Sequence, residues 1–255
     1  MDIPPCAVLR IWIAVDVGFI SRTIQLGWGV ILLCAYSACI MPGQTPAVGN
    51  AGESFASCGA DGLIDDVEDG SSQVKVVAGR SGYWYTYKDQ VGTTVIPAAG
   101  GQFDMSRGGV NGSKFAANLR ARVGRGEIVF GGMGLNLVDP KSPYDASKYK
   151  GVAFWAKKGP NGSGRVRFKI PDTSTDEAGG VCRDCSNDFG VDIELGEFWQ
   201  HFAFPWRRLK QLPGWGAPRP RAIKPNRIFG LQWQVNQQGA DFDIWVDDVE
   251  FIGCE

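Results

Sequence analysis

Between Leu63 and Ile252 apolar and polar positions alternate in short runs, the period-two signature of strands with one buried face. The clearest run is Asp241–Phe251 (DFDIWVDDVEF): Phe242, Ile244 and Val246 alternate with Asp243, Trp245 and Asp247, and Asp248, Val249 and Phe251 follow. Leu63–Gly70 repeats its Asp-Asp-Val-Glu string at Asp65 to Glu68. Further strands are predicted over Gln73–Val77, Gly82–Tyr87, Lys114–Val123, Phe130–Leu137, Gly151–Lys157, Arg165–Ile170, Val191–Leu195, Gln200–Pro205 and Ile228–Val235. Within Gly82–Tyr87 the alternation puts Tyr83, Tyr85 and Tyr87 on one face and Trp84 and Thr86 on the other. The glycines of Phe130–Leu137 signal a bulge or a close backbone approach. No long helix, heptad or internal repeat breaks the pattern. It predicts an all-β fold, a single jelly-roll β-sandwich of about ten strands, whose acidic first and last strands lie side by side.

Composition agrees: 35 Gly, 9 Trp and 14 Phe suit sheet and turn rather than helix. With 26 Lys+Arg against 27 Asp+Glu, nothing argues for nucleic acid or an anionic membrane surface. Residues 1–57 read differently. Leu26–Ala38 (LGWGVILLCAYSA) follows Arg22 and ends in small residues, an export h-region too short to span a bilayer. Its end, Tyr36-Ser37-Ala38-Cys39, resembles a bacterial lipoprotein signal, in which Cys39 is acylated; Tyr36 departs from that pattern, so ordinary cleavage is the alternative. The expected organisation is an export segment at 1–39, a flexible tether at 40–57, and the sandwich at 58–255.

Beyond Cys39 four cysteines remain, an even number that in an exported chain points to disulfides. Cys58 and Cys254 would tie the domain ends together, and Cys182 and Cys185 would pair within one loop. The rival reading of that CxxC is a metal site, but no second Cys or His pair lies near it.

Several runs together resemble the galactose-binding-like jelly rolls. Tyr149-Lys150-Gly151-Val152-Ala153-Phe154-Trp155 is similar to their Tyr-x-Gly-(hydrophobic)-x-Phe-Trp strand. Trp199-Gln200-His201-Phe202 with Pro205-Trp206-Arg207-Arg208-Leu209, and the ending Phe242 to Val249, follow in the same order. The nearest resemblance is to family 11 carbohydrate-binding modules and the complex I intermediate-associated domain. It implies a ligand cleft on the concave sheet, and a structural calcium where the first and last strands meet. On that resemblance Glu68 and Asp247 are the foremost Ca²⁺ ligands, with Asp66, Asp69 and Asp248 next; water-facing or turn-capping roles are the alternative. The long loop Pro171–Phe189 with its CxxC departs from the family.

Sugar recognition needs flat apolar faces for pyranose rings and planar polar groups for hydroxyls. Tyr83, Trp84, Tyr85 and Tyr87 are the expected platforms, and Asp172, Asp176, Arg183, Gln232 and Gln234 the expected polar partners. Trp155, Phe168, Trp233 and Trp245 are read as core, and Trp215 as an exposed residue or a loop plug. Catalysis has little support. Asp241, Asp243 and Asp247 share a strand face, but the Glu-x-Asp-x-x-Glu arrangement of jelly-roll glucanases is absent, and the one histidine, His201, reads as structural. The expectation is a non-catalytic module, exported to the cell envelope or the medium. It would be a monomer that binds a poly- or oligosaccharide and no nucleic acid, touching a membrane only through a lipid anchor. The alternatives are a structural or protein-interaction lipoprotein on the same scaffold and, behind it, a glycoside hydrolase.

Overall fold

The structure, a computed structural model, describes residues 55–254. The export segment, most of the tether and Cys39 lie outside the described residues. Ser57, assigned to the tether, already pairs with Ile252, and its hydroxyl donates to Glu250 at 2.7 Å. Among the described residues no helix is long and apolar enough to cross a membrane.

The molecule is a sandwich of two antiparallel sheets. A single helical turn (Gly59–Gly62) leads into β1 (Leu63–Asp65); β2 (Trp84–Lys88), β3 (Thr94–Ile96) and β4 (Ser106–Arg107) follow. Next come β5 (Phe115–Arg122), β6 (Gly131–Asn136), β7 (Gly151–Lys158) and β8 (Arg165–Ile170). The chain closes with β9 (Phe189–Glu194), β10 (Gln200–Pro205), β11 (Gly230–Val235) and β12 (Asp241–Ile252). One sheet runs β10-β7-β12-β5-β3, with β1 on β12 and β4 on β5; the other runs β2-β6-β11-β8-β9. The expected meeting of the first and last strands is therefore present, as is the Cys58–Cys254 disulfide beside them, with Cα atoms 5.6 Å apart.

The core forms where the alternating apolar positions of both sheets meet. Phe242, Ile244, Val246, Val249 and Phe251 of β12 face in, with Val152 and Phe154 of β7 and Leu119 of β5. Opposite them lie Met133 and Leu135, Leu231 and Trp233, and Phe168 and Ile170. Trp84 stacks on Trp233 at 5.5 Å, and Phe154 meets Trp233 edge-on at 5.1 Å. The alternation of β12 survives past its acidic pair because a bulge at Asp248 (φ 46) shifts the register against β7 and returns Val249 to the core.

The segment Gln73–Val77 is not a strand. It makes one isolated bridge, Gln73 to Tyr83, and its other backbone bonds go to Gly82, to Ile64 and into a turn at Val77. Trp155 and Trp245 also differ from expectation. They occupy the outer face of the seven-stranded sheet, where Trp155 packs at 5.1 Å from His201, itself exposed on edge strand β10.

Asp89, just past β2, fixes the turn that positions β3 and β6. Its carboxylate accepts from the amides of Val91 (2.7 Å), Phe130 (2.8 Å) and Thr93 (3.3 Å), and from the Thr93 hydroxyl. Burial opposes its ionisation, but these donors outweigh it and hold the pKa at about 2. A depressed pKa stabilises the fold above the ordinary carboxylate range, and that contribution is lost as pH falls from about 4 toward 2. Asp89→Asn should cost about 2–3 kcal/mol at neutral pH and flatten the acid limb of the stability curve. Chemical denaturation at pH 7 and pH 3 checks this; equal losses at both would contradict it.

Candidate functional site

The outward face of the five-stranded sheet carries a cleft of about 740 Å³. Strand register builds its floor. One row across the strands is Tyr87, Gly132, Gln234, Arg167 and Asp192; the neighbouring row is Tyr85, Gly134, Gln232, Lys169 and Gly190. The two glycines are required by close approach. A Cβ on Gly132 would overlap the Tyr87 ring, and one on Gly134 would stand 3.0 Å from the Tyr85 hydroxyl and 2.9 Å from Gln232 Cγ. The tyrosines therefore lie across β6, their rings 6.0 Å apart. Tyr85 orients the floor by accepting a 2.8 Å hydrogen bond from Gln232 Nε2. Tyr87 lines the cleft and meets Phe130 at 6.2 Å. Burial raises both phenols well above the ordinary tyrosine range, so both stay protonated.

Fixed charges complete the floor. Lys169 Nζ pairs with Asp188 at 2.9 Å, both side chains almost fully buried, and Arg167 pairs with Asp192 at 3.0 Å. One wall is the Pro171–Phe189 loop, closed on itself by the Cys182–Cys185 disulfide. The adjoining wall is the loop carrying Trp215, which is 40% exposed and lines the cleft. Buried Asn187 ties the two walls together. Its amide donates to the carbonyls of Leu212 (2.9 Å) and Trp215 (2.7 Å), and its oxygen accepts from Leu212 N at 2.8 Å. Asp184 adds a 2.7 Å bond from Gly216 N.

The expected site residues divide. Tyr87, Asp176, Gln232 and Gln234 line the cleft, and Tyr85 braces it. Trp84 does not reach it. At 3% exposure it is core, its indole donating to Asp65 at 2.8 Å, because β2 turns even positions inward. Asp172 is fully buried and accepts from the amides of Ser174 (2.8 Å) and Lys224 (3.0 Å), which makes it a loop brace. Tyr83 is exposed beyond the end of the cleft. Arg183 lies outside it, its backbone paired to Ala217. Trp215, Phe130, Arg167, Lys169, Asn187 and Asp188 were not anticipated. The alternation of RVRFKI on β8 was the available signal for Arg167 and Lys169; the loop residues carried none.

The acidic sets meet at the β1–β12 junction. Asp247 is buried beneath Gly109, accepting from the amides of Val110 (2.9 Å) and Asp248 (2.8 Å). Its near charges, Asp248 and Glu68, are both negative, and burial raises its pKa to about 7. Glu68 accepts from the amides of Lys114 (2.7 Å) and Phe115 (3.0 Å). Asp66 is committed to Lys75 at 2.7 Å, and Asp69 caps a turn through Ser71 N at 2.8 Å. Among the described residues no group of three or more His, Cys, Asp or Glu side chains is placed to hold a metal. All four acids already accept from donors of this chain, Asp247 through both oxygens and Glu68 through one. The strand-face acids are likewise occupied, Asp241 by Arg122 (2.7 Å) and Asp243 by Asn118 (2.8 Å).

No protein-family model and no curated protein matches the sequence. Solved structures match the fold. One is a family 11 carbohydrate-binding module from Clostridium thermocellum in complex with a β-1,3-1,4-mixed-linked tetrasaccharide. It has a TM-score of 0.51 and 14% identity, over 76% of this chain and 95% of that one. Another is the family 11 module of the cellulosomal cellulase Lic26A-Cel5E of Clostridium thermocellum, at a TM-score of 0.52 and 13% identity, over 79% and 97%. The likeness establishes the β-sandwich of these modules as the fold of this chain and agrees with the resemblance read from its sequence motifs.

Because Asn187 makes three of the bonds between the two walls, Asn187→Ala should cost about 2–3 kcal/mol and loosen the Leu212–Gly216 loop. Hydrogen exchange should then speed up at Leu212 and Gly216 and remain slow in β11. Unchanged protection of both amides would show that the loop is held some other way.

Proposed function

We propose that this chain is an exported, non-catalytic carbohydrate-binding module whose site is the cleft on the five-stranded sheet. The observation that carries the reading is the pairing of flat aromatic surfaces with planar amides on one rigid floor. Tyr87, Phe130 and Trp215 offer apolar faces for the CH-rich sides of sugar rings, and Gln232, Gln234, Asn236 and Gln238 offer paired donors and acceptors for hydroxyls. The volume suits a short stretch of glycan. The mixed-linkage tetrasaccharide bound by the structural neighbour supports the ligand class. The cleft aspartates suit recognition rather than acid–base work. Asp176 is held by Lys141 at 2.6 Å, Asp184 by the Gly216 amide and Asp188 by Lys169. Export accords with the two disulfides. Anchoring through acylated Cys39 and a monomeric state belong to the same proposal and rest on the sequence.

A protein-interaction role on the same scaffold is the second reading. It is favoured by the outer face of the other sheet, where Lys157 lies 4.9 Å from the Trp199 ring and 5.3 Å from Trp245, beside Phe198 at 86% exposure. Retention on insoluble and soluble glucans, mannans and galactans separates the two. Binding to at least one is expected, with no release of reducing ends. Trp215→Ala should weaken it about 10-fold or more and Trp199→Ala should leave it unchanged. Binding to none would favour the second reading, and loss only in Trp199→Ala would move the glycan site to the other sheet.

A structural calcium held by Glu68 and Asp247 is part of the proposal, supported by a buried carboxylate whose near charges are negative. A bound Ca²⁺ would add stability by mass action. The melting temperature should rise with Ca²⁺ and fall with chelator, and Glu68→Ala should abolish the difference. A Ca²⁺-independent melting temperature for the unaltered protein would exclude the ion.

A further inference from the structure

Two buried polar atoms of the cleft meet no hydrogen-bond partner among the described residues: the Tyr87 hydroxyl and Asp188 Oδ1. Two others of this kind, Arg80 Nε and Trp233 Nε1, belong to buried side chains away from the cleft lining and have no access to a ligand there. Asp188 is only 4% exposed. Its other oxygen is committed to Lys169 at 2.9 Å, and the same ammonium lies 5.9 Å from the centre of the Tyr87 ring. Lys169 thus stands beside both residues, bonded to Asp188 and near the Tyr87 ring, and all three line the cleft. Leaving such groups unpaired costs stability, and that cost persists where a site has a use for them.

The chemistry of the patch selects what enters it. The phenol donates a hydrogen bond and the carboxylate oxygen accepts one, so one hydroxyl group, accepting from the first and donating to the second, satisfies both. A carboxylate does not. It has no proton for Asp188 and meets a lysine already neutralised, in a cleft lined by the carboxylates of Glu127, Asp176, Asp184 and Asp188 against the cations Arg167 and Lys169. The geometry points to a buried subsite of Tyr87, Asp188 and Lys169 that takes a glycan hydroxyl and makes the cleft select neutral hexose units over uronic acids. The inference rests on the glycan reading of this cleft and adds the class of sugar.

Tyr87→Phe keeps the ring and removes the orphaned hydroxyl. It should leave the melting temperature of the free protein unchanged or raise it, while weakening the best-binding soluble neutral glycan about 10-fold. That combination separates a ligand-binding hydroxyl from a structural one. The second arm uses the same glycan after selective oxidation of its primary hydroxyls to carboxylates, which should bind at least about 10-fold more weakly at fixed ionic strength. Equal affinity for the neutral and oxidised forms would overturn the inference, as would a Tyr87→Phe protein that binds normally or is destabilised. Binding to no glycan at all would instead overturn the reading of the cleft, and the subsite with it.

Discussion

The cleft depends on one close approach, the crossing of β6 by the rings of Tyr87 and Tyr85. Side chains at those positions of β2 can lie flat only if the neighbouring strand presents none, and Gly132 and Gly134 stand opposite in register. Any larger residue there would lift the rings and fill the floor. The same pleat that turns Tyr85 and Tyr87 outward turns Trp84 inward against Trp233, so the aromatic cluster of β2 supplies core and floor together. Asp89 then fixes where β2 ends, and through Phe130 where β6 begins.

Around that floor the walls are a local addition to a general scaffold. The Cys182–Cys185 loop and the Trp215 loop share one backbone bridge, Asp184 to Ala217, and side chains supply much of the rest of their order. Asn187, Asp184 and the disulfide perform there the work that backbone pairing does in the sheets. This division places rigidity in the floor and leaves the walls to shape the cleft. The opposite end of the molecule follows another logic. There β1 and β12 pair, Cys58 and Cys254 join, and the carboxylates of Glu68, Asp247 and Asp248 gather.

Much of the fold was legible because alternation is a local signal. DFDIWVDDVEF read as a strand with Phe242, Ile244 and Val246 buried, and it is the strand on which β1, β5 and β7 all pair. Both cysteine pairs were legible from number and position. Which side of a strand faces the core was harder. Alternation fixes two faces without naming the inner one, so it does not tell that Trp84 is core and that Trp155 and Trp245 lie on an outer face. The loop contributions were beyond reach. That Asp172 is a buried brace and Asp188 a cleft residue depends on contacts with Lys224 and Lys169, remote in sequence from them and fixed only by the tertiary path. The sequence of LPGWGAPRP shows a turn-rich loop; that Trp215 lines the cleft depends on how Asn187 holds that loop from across the chain.

The central claim is that the five-stranded sheet, through the floor centred on Tyr87, is the ligand surface. Backbone and indole chemical-shift mapping during titration with a soluble glycan tests it most directly. The account predicts perturbations concentrated at Tyr87, Gly132, Gln232, Gln234 and the Trp215 indole. Shifts gathered instead around Trp155, Trp199 and Trp245 on the other sheet would contradict it.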